Sequence, residues 1–250
     1  MARVKPSVEL LAYTPNPEQT VAVAAKLCYS DNTIEMLKAG VENKDISKFI
    51  EKLLSLGHLS PIEHASFTFG IEGVSRSLLA QITRHRVASF SVKSQRYVSS
   101  NNNGEVFNYI LPPSIEALGE EYVEKFDSQM RTMQEWYNEW QTLLGGAKES
   151  SNEDARFVLP NASETKMILT MNARELMHFF ELRCCNRAQW EIRAIAWEML
   201  RLVRKVAPTL FKNAGPTCVS GACSEGKMSC KKMKEVKEYH EKLMEVDTSL

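Results

Sequence analysis

The sequence predicts a fold that combines helices with strands, and two patterns carry that reading. Apolar residues recur at helical spacing over 18–30, 45–58 and 118–144, and alternate with polar ones over 66–72, 89–96 and 163–173. The two periods meet in residues 84–97, RHRVASFSVKSQRY, where most of the chain's chemistry is gathered.

The first strand is read at 8–13, VELLAY, with Pro15 and Pro17 as punctuation. A helix over 18–30 buries Val21, Ala24, Ala25 and Cys28, and the next, over 45–58, buries Ile46, Phe49, Ile50, Leu53 and Leu54 before stopping at Gly57. Pro61 then opens a turn into a half-buried strand in which Phe67, Phe69 and Ile71 alternate with Ser66, Thr68 and Glu72. His58, Ser60, Glu63 and His64 crowd that turn, but their spacing matches no common helical ligand pattern, so no metal is assigned and polar contacts to a ring system are expected.

Ser75 is read as the cap of a helix with Leu78, Leu79 and Ile82 inside, and with Gln81, Arg84 and His85 on another side. The Arg84-His85-Arg86 triplet closes this helix. From Val87 a strand of period two puts Phe90, Val92, Ser94 and Arg96 on one, buried face. Farther on, a long helix carries the stripe Leu118, Tyr122, Phe126, Met130, Met133, Tyr137, Trp140 and Leu144, read as core or subunit interface. Residues 163–173 read as a strand, and 173–192 as one helix with Leu176, Phe179 and Phe180 inside and Arg174, His178 and Glu181 or Arg183 on or near another side.

Composition narrows the function. Hydrophobic residues make up 44%, enough for a core, and Lys+Arg and Asp+Glu both count 31, so global charge steers the protein neither to nucleic acid nor to membranes. Any anion site must be local. No apolar run is long enough to span a bilayer, and six cysteines, two of them adjacent, do not look like a secreted framework, so a cytoplasmic protein is expected. The Asn161-Ala162-Ser163 sequon is read as chance. Cys218, Cys223 and Cys230 lack the two-residue knuckle of structural zinc sites, which leaves free thiols or a structural metal open.

The cations of 84–97 are Arg84, Arg86, Lys93 and Arg96, with His85, Ser89, Ser91 and Ser94 among them and no acid. Such charges repel unless anions or solvent offset them, and guanidiniums on a buried face want an anionic partner. An RNA-binding module using 84–96 as a basic strip, with Phe90 and Tyr97 for stacking, is the rival reading. Ser94 is not read as a nucleophile, because its strand-face neighbours Val92 and Arg96 offer no base.

Arg-His-Arg, seven residues, Ser, then x-Arg-Tyr resembles the signature of the flavin-dependent thymidylate synthases. His-x-Ser-Pro-x-Glu-His at 58–64, Phe-Thr-Phe at 67–69 and the block 154–191 resemble further segments of that family. Val92 stands where many members carry an acid and Ser91 where many carry asparagine, which leaves backbone contact alone at those positions.

The resemblance implies an α/β fold with a mixed sheet flanked by long helices. It covers roughly residues 55–200 and implies a catalytic domain at 1–212, while the part that departs most reads as a cysteine-containing extension at 213–250 with a short helix. It implies a homotetramer with sites at subunit junctions that converts dUMP to dTMP, using FAD, NADPH and methylenetetrahydrofolate. Nucleic acid and membrane are not partners.

Under that resemblance Arg96 and Arg156 suit the dUMP phosphate, because planar forks bind oxyanions bidentately. Ser94 adds a hydrogen bond, and Gln81, Gln95 and Arg84 complete the nucleotide set. Arg84, His85 and Arg86 suit the flavin, since a cation beside its N1 and O2 edge stabilises the reduced ring. His58, Ser60, Asn172, Arg174 and His178 join the flavin list. Arg183 is expected to touch dUMP and to act as the catalytic electrostatic group, offsetting charge that develops on the uracil.

Overall fold

A computed structural model describes residues 3–100 and 105–245. Strand β1 (Ser7–Tyr13) leads through α1 (Pro17–Leu27), α2 (Ile34–Ala39) and α3 (Ser47–Ser55) to β2 (Ser66–Ser75), α4 (Arg76–Ile82) and β3 (Ala88–Val92). Then come α5 (Pro113–Glu116), α6 (Glu120–Leu143), α7 (Glu149–Ala155), β4 (Glu164–Asn172), α8 (Ala173–Arg183), α9 (Trp190–Val206) and α10 (Met233–Glu241). The strands form a sheet in the order β1-β2-β4-β3.

The α/β class is as expected, but β1 with β2, and β2 with β4, pair antiparallel where a mixed sheet was expected. Thr14 N–H donates to Ser66 O, joining the end of β1 to the start of β2. The excursion that leaves β2 returns to β4 at the same end, Arg76 N–H donating to Ser163 O at 3.0 Å, so the chain re-enters in the opposite direction.

The chain packs as two compact units. The first comprises Met1–Ser7, Ile71–Arg84 and Phe90–Ile168, and the second Val8–Gly70, His85–Ser89 and Leu169–Leu250. In the first, Phe107, Tyr109 and Met130 form a buried cluster against which Phe126 and Met133 pack. Gly73 is required here. Its φ is +66°, and a Cβ would lie 2.0 Å from Lys5 O.

Helix α6 buries Val123, Met130, Gln134, Tyr137 and Gln141, so its inner line is partly polar. Of the expected stripe, Leu118, Tyr122, Trp140 and Leu144 are exposed, while the buried amides of Gln134 and Gln141 take inner positions of α6 and bond to Phe107 N–H and to Ser99 Oγ.

The second unit is built on fully buried Phe67, Phe69, Phe179, Phe180 and Phe211. Phe67 and Phe180 meet Phe211 edge-on at 5.4 and 6.0 Å, an arrangement that adds about 0.5–1.5 kcal/mol per pair beyond burial. Helix α3 stops at Gly57, φ +69°, where His58 N–H donates to Leu53 O and Gly57 N–H to Leu54 O, a paired closure that aims the chain into the 58–64 turn.

The expected single helix over 173–192 is two. Helix α8 ends at Arg183 with buried Cys184, and the Gln189 side chain starts α9 by accepting from Glu191 and Ile192 N–H. Near the end of α9, buried Arg204 donates to Phe211 O, Lys212 O and His240 O and contacts the His240 ring, which ties 211–240 to the helix.

Candidate active site

In the second unit, α8 is capped by Asn172, whose Oδ1 accepts from Glu175 N–H at 2.9 Å. The helix presents Arg174, Glu175, His178 and Arg183. His85, only 5% exposed, packs edge-on against Phe179 with centroids 4.9 Å apart. Arg183 Nε–H donates to His85 Nε2 at 3.0 Å, and His85 Nδ1 lies 3.2 Å from Glu175 Oε1. A nitrogen that accepts carries no proton, so the proton sits on Nδ1 and is donated to Glu175. Burial first, then the charges of Arg183 and His178, push the His85 pKa down to about 4, which keeps the ring neutral at pH 7. Burial also raises the Glu175 pKa, against an opposing contribution from His178.

Beside this chain of bonds lies a groove of about 540 Å³ lined by the apolar Leu59, Val87 and Met177 and by the polar Glu63, Asn172, Arg174, Glu175, His178 and Glu181. Apolar side chains that can pack on a ring face, beside polar groups that can meet its edge, suit a planar heteroaromatic ring. Arg174 pairs with Glu63 at 2.5 Å, both side chains about half exposed. Ser60, exposed, precedes the Pro61–His64 turn, and the His58 ring meets Tyr29 edge-on at 5.7 Å. Arg86 is exposed.

The first unit holds Gln81, Arg84, Ser94, Gln95, Arg96 and Arg156. Helix α4 ends at Ile82, where Thr83 Oγ1 donates to Leu79 O, so Arg84 and His85 follow the helix instead of lying on its face as expected. Likewise β3 ends at Val92, and the expected buried face through Ser94 and Arg96 does not form. Ser94 Oγ accepts from Arg96 and Tyr97 N–H at 3.2 and 3.4 Å, a local turn that competes with strand pairing.

Arg96 is therefore exposed, its Nη2 2.6 Å from Glu149 Oε1 and its Nε 3.0 Å from Glu153 Oε2. Its backbone is also held, since Asn152 Nδ2–H donates to Arg96 O at 3.0 Å. Lys93 pairs with Glu164 at 3.3 Å. Arg156 Nε–H donates to Glu153 O, and half-buried Arg76 has its pKa lowered by burial and by nearby Arg156.

Sequence reasoning missed Glu175, Asn152, the Glu149 and Glu153 pair, and Arg76. Signals existed for two of them. Asn172-x-x-Glu175 has the form of a capping box, and Glu149 and Glu153 are spaced to share a helix face. That Arg96 meets acids from some fifty residues away has no signal in the local sequence. With Lys93 and Arg96 paired to carboxylates, no continuous free basic strip remains at 93–96, and nothing favours the RNA reading.

The family description "Thymidylate synthase complementing protein" matches residues 9–209. A flavin-dependent thymidylate synthase of Geobacter sulfurreducens is 53% identical over 230 residues, covering 92% of this chain and 96% of the relative. This chain belongs to the flavin-dependent thymidylate synthase family. The enzyme of that name from Clostridium tetani is 50% identical over 93% of this chain and 96% of its own length, and the one from Sulfolobus acidocaldarius is 42% identical over 85% and 78%. All the site residues above fall inside the span that matches this family of flavin-dependent thymidylate synthases. Among the described residues no helix is long and apolar enough to cross a membrane.

Proposed function

We propose that this chain makes dTMP by reductive methylation of dUMP, with methylenetetrahydrofolate as carbon donor and NADPH as reductant of its FAD. The observation that carries this reading is the reach of the similarity. It extends over 96% of the Geobacter sulfurreducens enzyme, not over one shared binding segment.

The groove in the second unit fits the cofactor chemically: Leu59, Val87 and Met177 offer apolar surface for a flat ring, Arg174 offers charge, and His178 and Asn172 offer hydrogen bonds. Bound FAD would supply the hydride that completes the methyl group. The residues assigned to hold it are His58, Ser60, Arg86, Asn172, Arg174 and His178, with Arg84 shared between flavin and nucleotide. His85, which the resemblance also puts on the flavin, has both ring nitrogens engaged within the chain.

Arg96 and Arg156 are assigned to the dUMP phosphate, with Ser94, Gln95 and Gln81 orienting the nucleotide. Arg183 is assigned to the pyrimidine, where its guanidinium offsets negative charge as C5 attacks the one-carbon unit. No metal is invoked. The extension 213–250 is assigned a structural role beside the catalytic part at 1–212.

A homotetramer in the cytoplasm is part of the same proposal. The exposed Leu118, Tyr122, Trp136 and Trp140 of the α6 region support it, since contiguous exposed apolar surface tends to mark a site of protein contact. Light scattering gives the mass directly. The activity is tested by purifying the protein, recording its flavin absorbance and following dTMP formation from dUMP. A colourless protein that forms no dTMP and instead shifts RNA with a steep salt slope sinks the assignment.

A further inference from the structure

His85 has two ring nitrogens, and both are used inside the second unit, by Arg183 on one side and Glu175 on the other. The ring therefore has no donor or acceptor left to offer a ligand. We propose that Glu175 and His85 are positioning residues for Arg183. Glu175 keeps the His85 proton on Nδ1, Nε2 then accepts from Arg183 Nε–H, and that bond fixes the plane of the guanidinium and the direction of its Nη groups. The inference rests on the catalytic role assigned to Arg183 above.

Three observations support it. The first is burial: the His85 and Glu175 side chains are 4% and 12% exposed, so water does not compete well for their bonds. The second is reach. Glu175 and Arg183 lie at opposite ends of α8, about 12 Å apart along the axis at roughly 1.5 Å per residue, and the imidazole is the spacer that links them. The third concerns what Glu175 does not do. In a capping box its carboxylate would turn back to the Asn172 N–H, but the side-chain bond it makes is to His85.

The alternative ring states fail on chemistry. A protonated His85 would set an N–H and a positive charge against the Arg183 Nε–H, and burial beside Arg183 and His178 opposes that state. A ring with its proton on Nε2 would set two donors face to face and leave Glu175 without one. Only the Nδ1–H form satisfies all three groups. Glu175 thus selects the form in which Arg183 is anchored, and misplacing such a group by about 1 Å can cost on the order of a hundredfold in rate.

The test uses FAD-loaded enzyme with its histidine rings labelled with nitrogen-15. In the wild type at pH 7, His85 should show a protonated Nδ1 and an unprotonated Nε2. Glu175→Leu should move the proton toward Nε2 and lower turnover at saturating dUMP by roughly ten- to a hundredfold, with flavin content and dUMP affinity within a few-fold. Glu175→Gln keeps an acceptor oxygen and should restore both the proton position and the rate.

A wild-type ring with its proton on Nε2 overturns the proposal without any variant, which matters if Glu175→Leu does not fold. So does a Gln variant as slow as the Leu variant, or an unmoved proton in the Leu variant. A moved proton with unchanged turnover overturns it as well, and slowed turnover in Arg183→Lys would then show that the catalytic premise survives without it.

Discussion

If Arg96 takes the dUMP phosphate as proposed, the carboxylates that hold it compete with substrate. Arg96 is 2.6 Å from Glu149 and 3.0 Å from Glu153, with all three side chains 44 to 46% exposed. A dUMP phosphate that takes the guanidinium fork has to displace those oxygens. Ion pairs at such exposure are worth about 0.2–1 kcal/mol each, so together they oppose phosphate by roughly 0.4–2 kcal/mol. That corresponds to about two- to thirtyfold in affinity. Glu149→Gln combined with Glu153→Gln keeps the shape of both side chains and removes the charge. Titration calorimetry of dUMP should then show tighter binding by that factor at low salt, with the gap closing as salt is added. Unchanged or weaker binding refutes the reasoning and makes the two glutamates a brace that orients Arg96 for its ligand.

Arg183→Lys keeps the charge but not the Nε donor that His85 accepts, so single-turnover oxidation of pre-reduced enzyme should slow on the order of a hundredfold while dUMP affinity changes little; a defect that disappears at saturating dUMP makes Arg183 a binding residue. Asn152→Ala removes bonds to Gln141 Nε2, Tyr137 OH and Arg96 O at a site 3% exposed, and should cost about 2–4 kcal/mol in urea unfolding; a loss below about 0.5 kcal/mol contradicts the role given to that network. His85 and His240 are both held near pKa 4 against an ordinary 6.5, so as pH falls below about 6.5 the unfolded chain takes up protons first. Stability should drop by about 1.4 kcal/mol per pH unit for each histidine until about pH 4, and a flat unfolding midpoint between pH 6.5 and 5 would show that neither ring is buried neutral.

The periodic elements were legible in the sequence because burial repeats along them. The 8–13 and 163–173 strands, the Ser75 cap and the Gly57 stop all appear where the pattern puts them. Of the residues that motif spacing picked out, Asn172, Arg174, His178 and His85 fall in one unit and Ser94, Arg96 and Arg156 in the other. What was not legible is what side chains do to the backbone and to each other across long separations. A serine that accepts two backbone N–H groups ended β3 early, which no alternation of Phe90, Val92, Ser94 and Arg96 could report. The partners of Arg96 come from α7, and that of His85 from α8, some ninety residues on, so their pairing depends on the tertiary fold.

The grip of Arg204 on the segment that follows it has a consequence during synthesis. Its acceptors are Phe211 O, Lys212 O and His240 O, all made after it on the ribosome. While the chain grows, residue 204 emerges with a cation and no carbonyls to receive it, and an unsatisfied charge of that kind strongly disfavours burial. The Phe211 and Lys212 carbonyls follow within eight residues, but the His240 carbonyl comes 36 residues later, so the closure of 211–240 on α9 is completed only after residue 240 clears the exit tunnel. A nascent chain stalled before residue 240 should accordingly remain sensitive to protease around 200–212, and one stalled far enough beyond it should not.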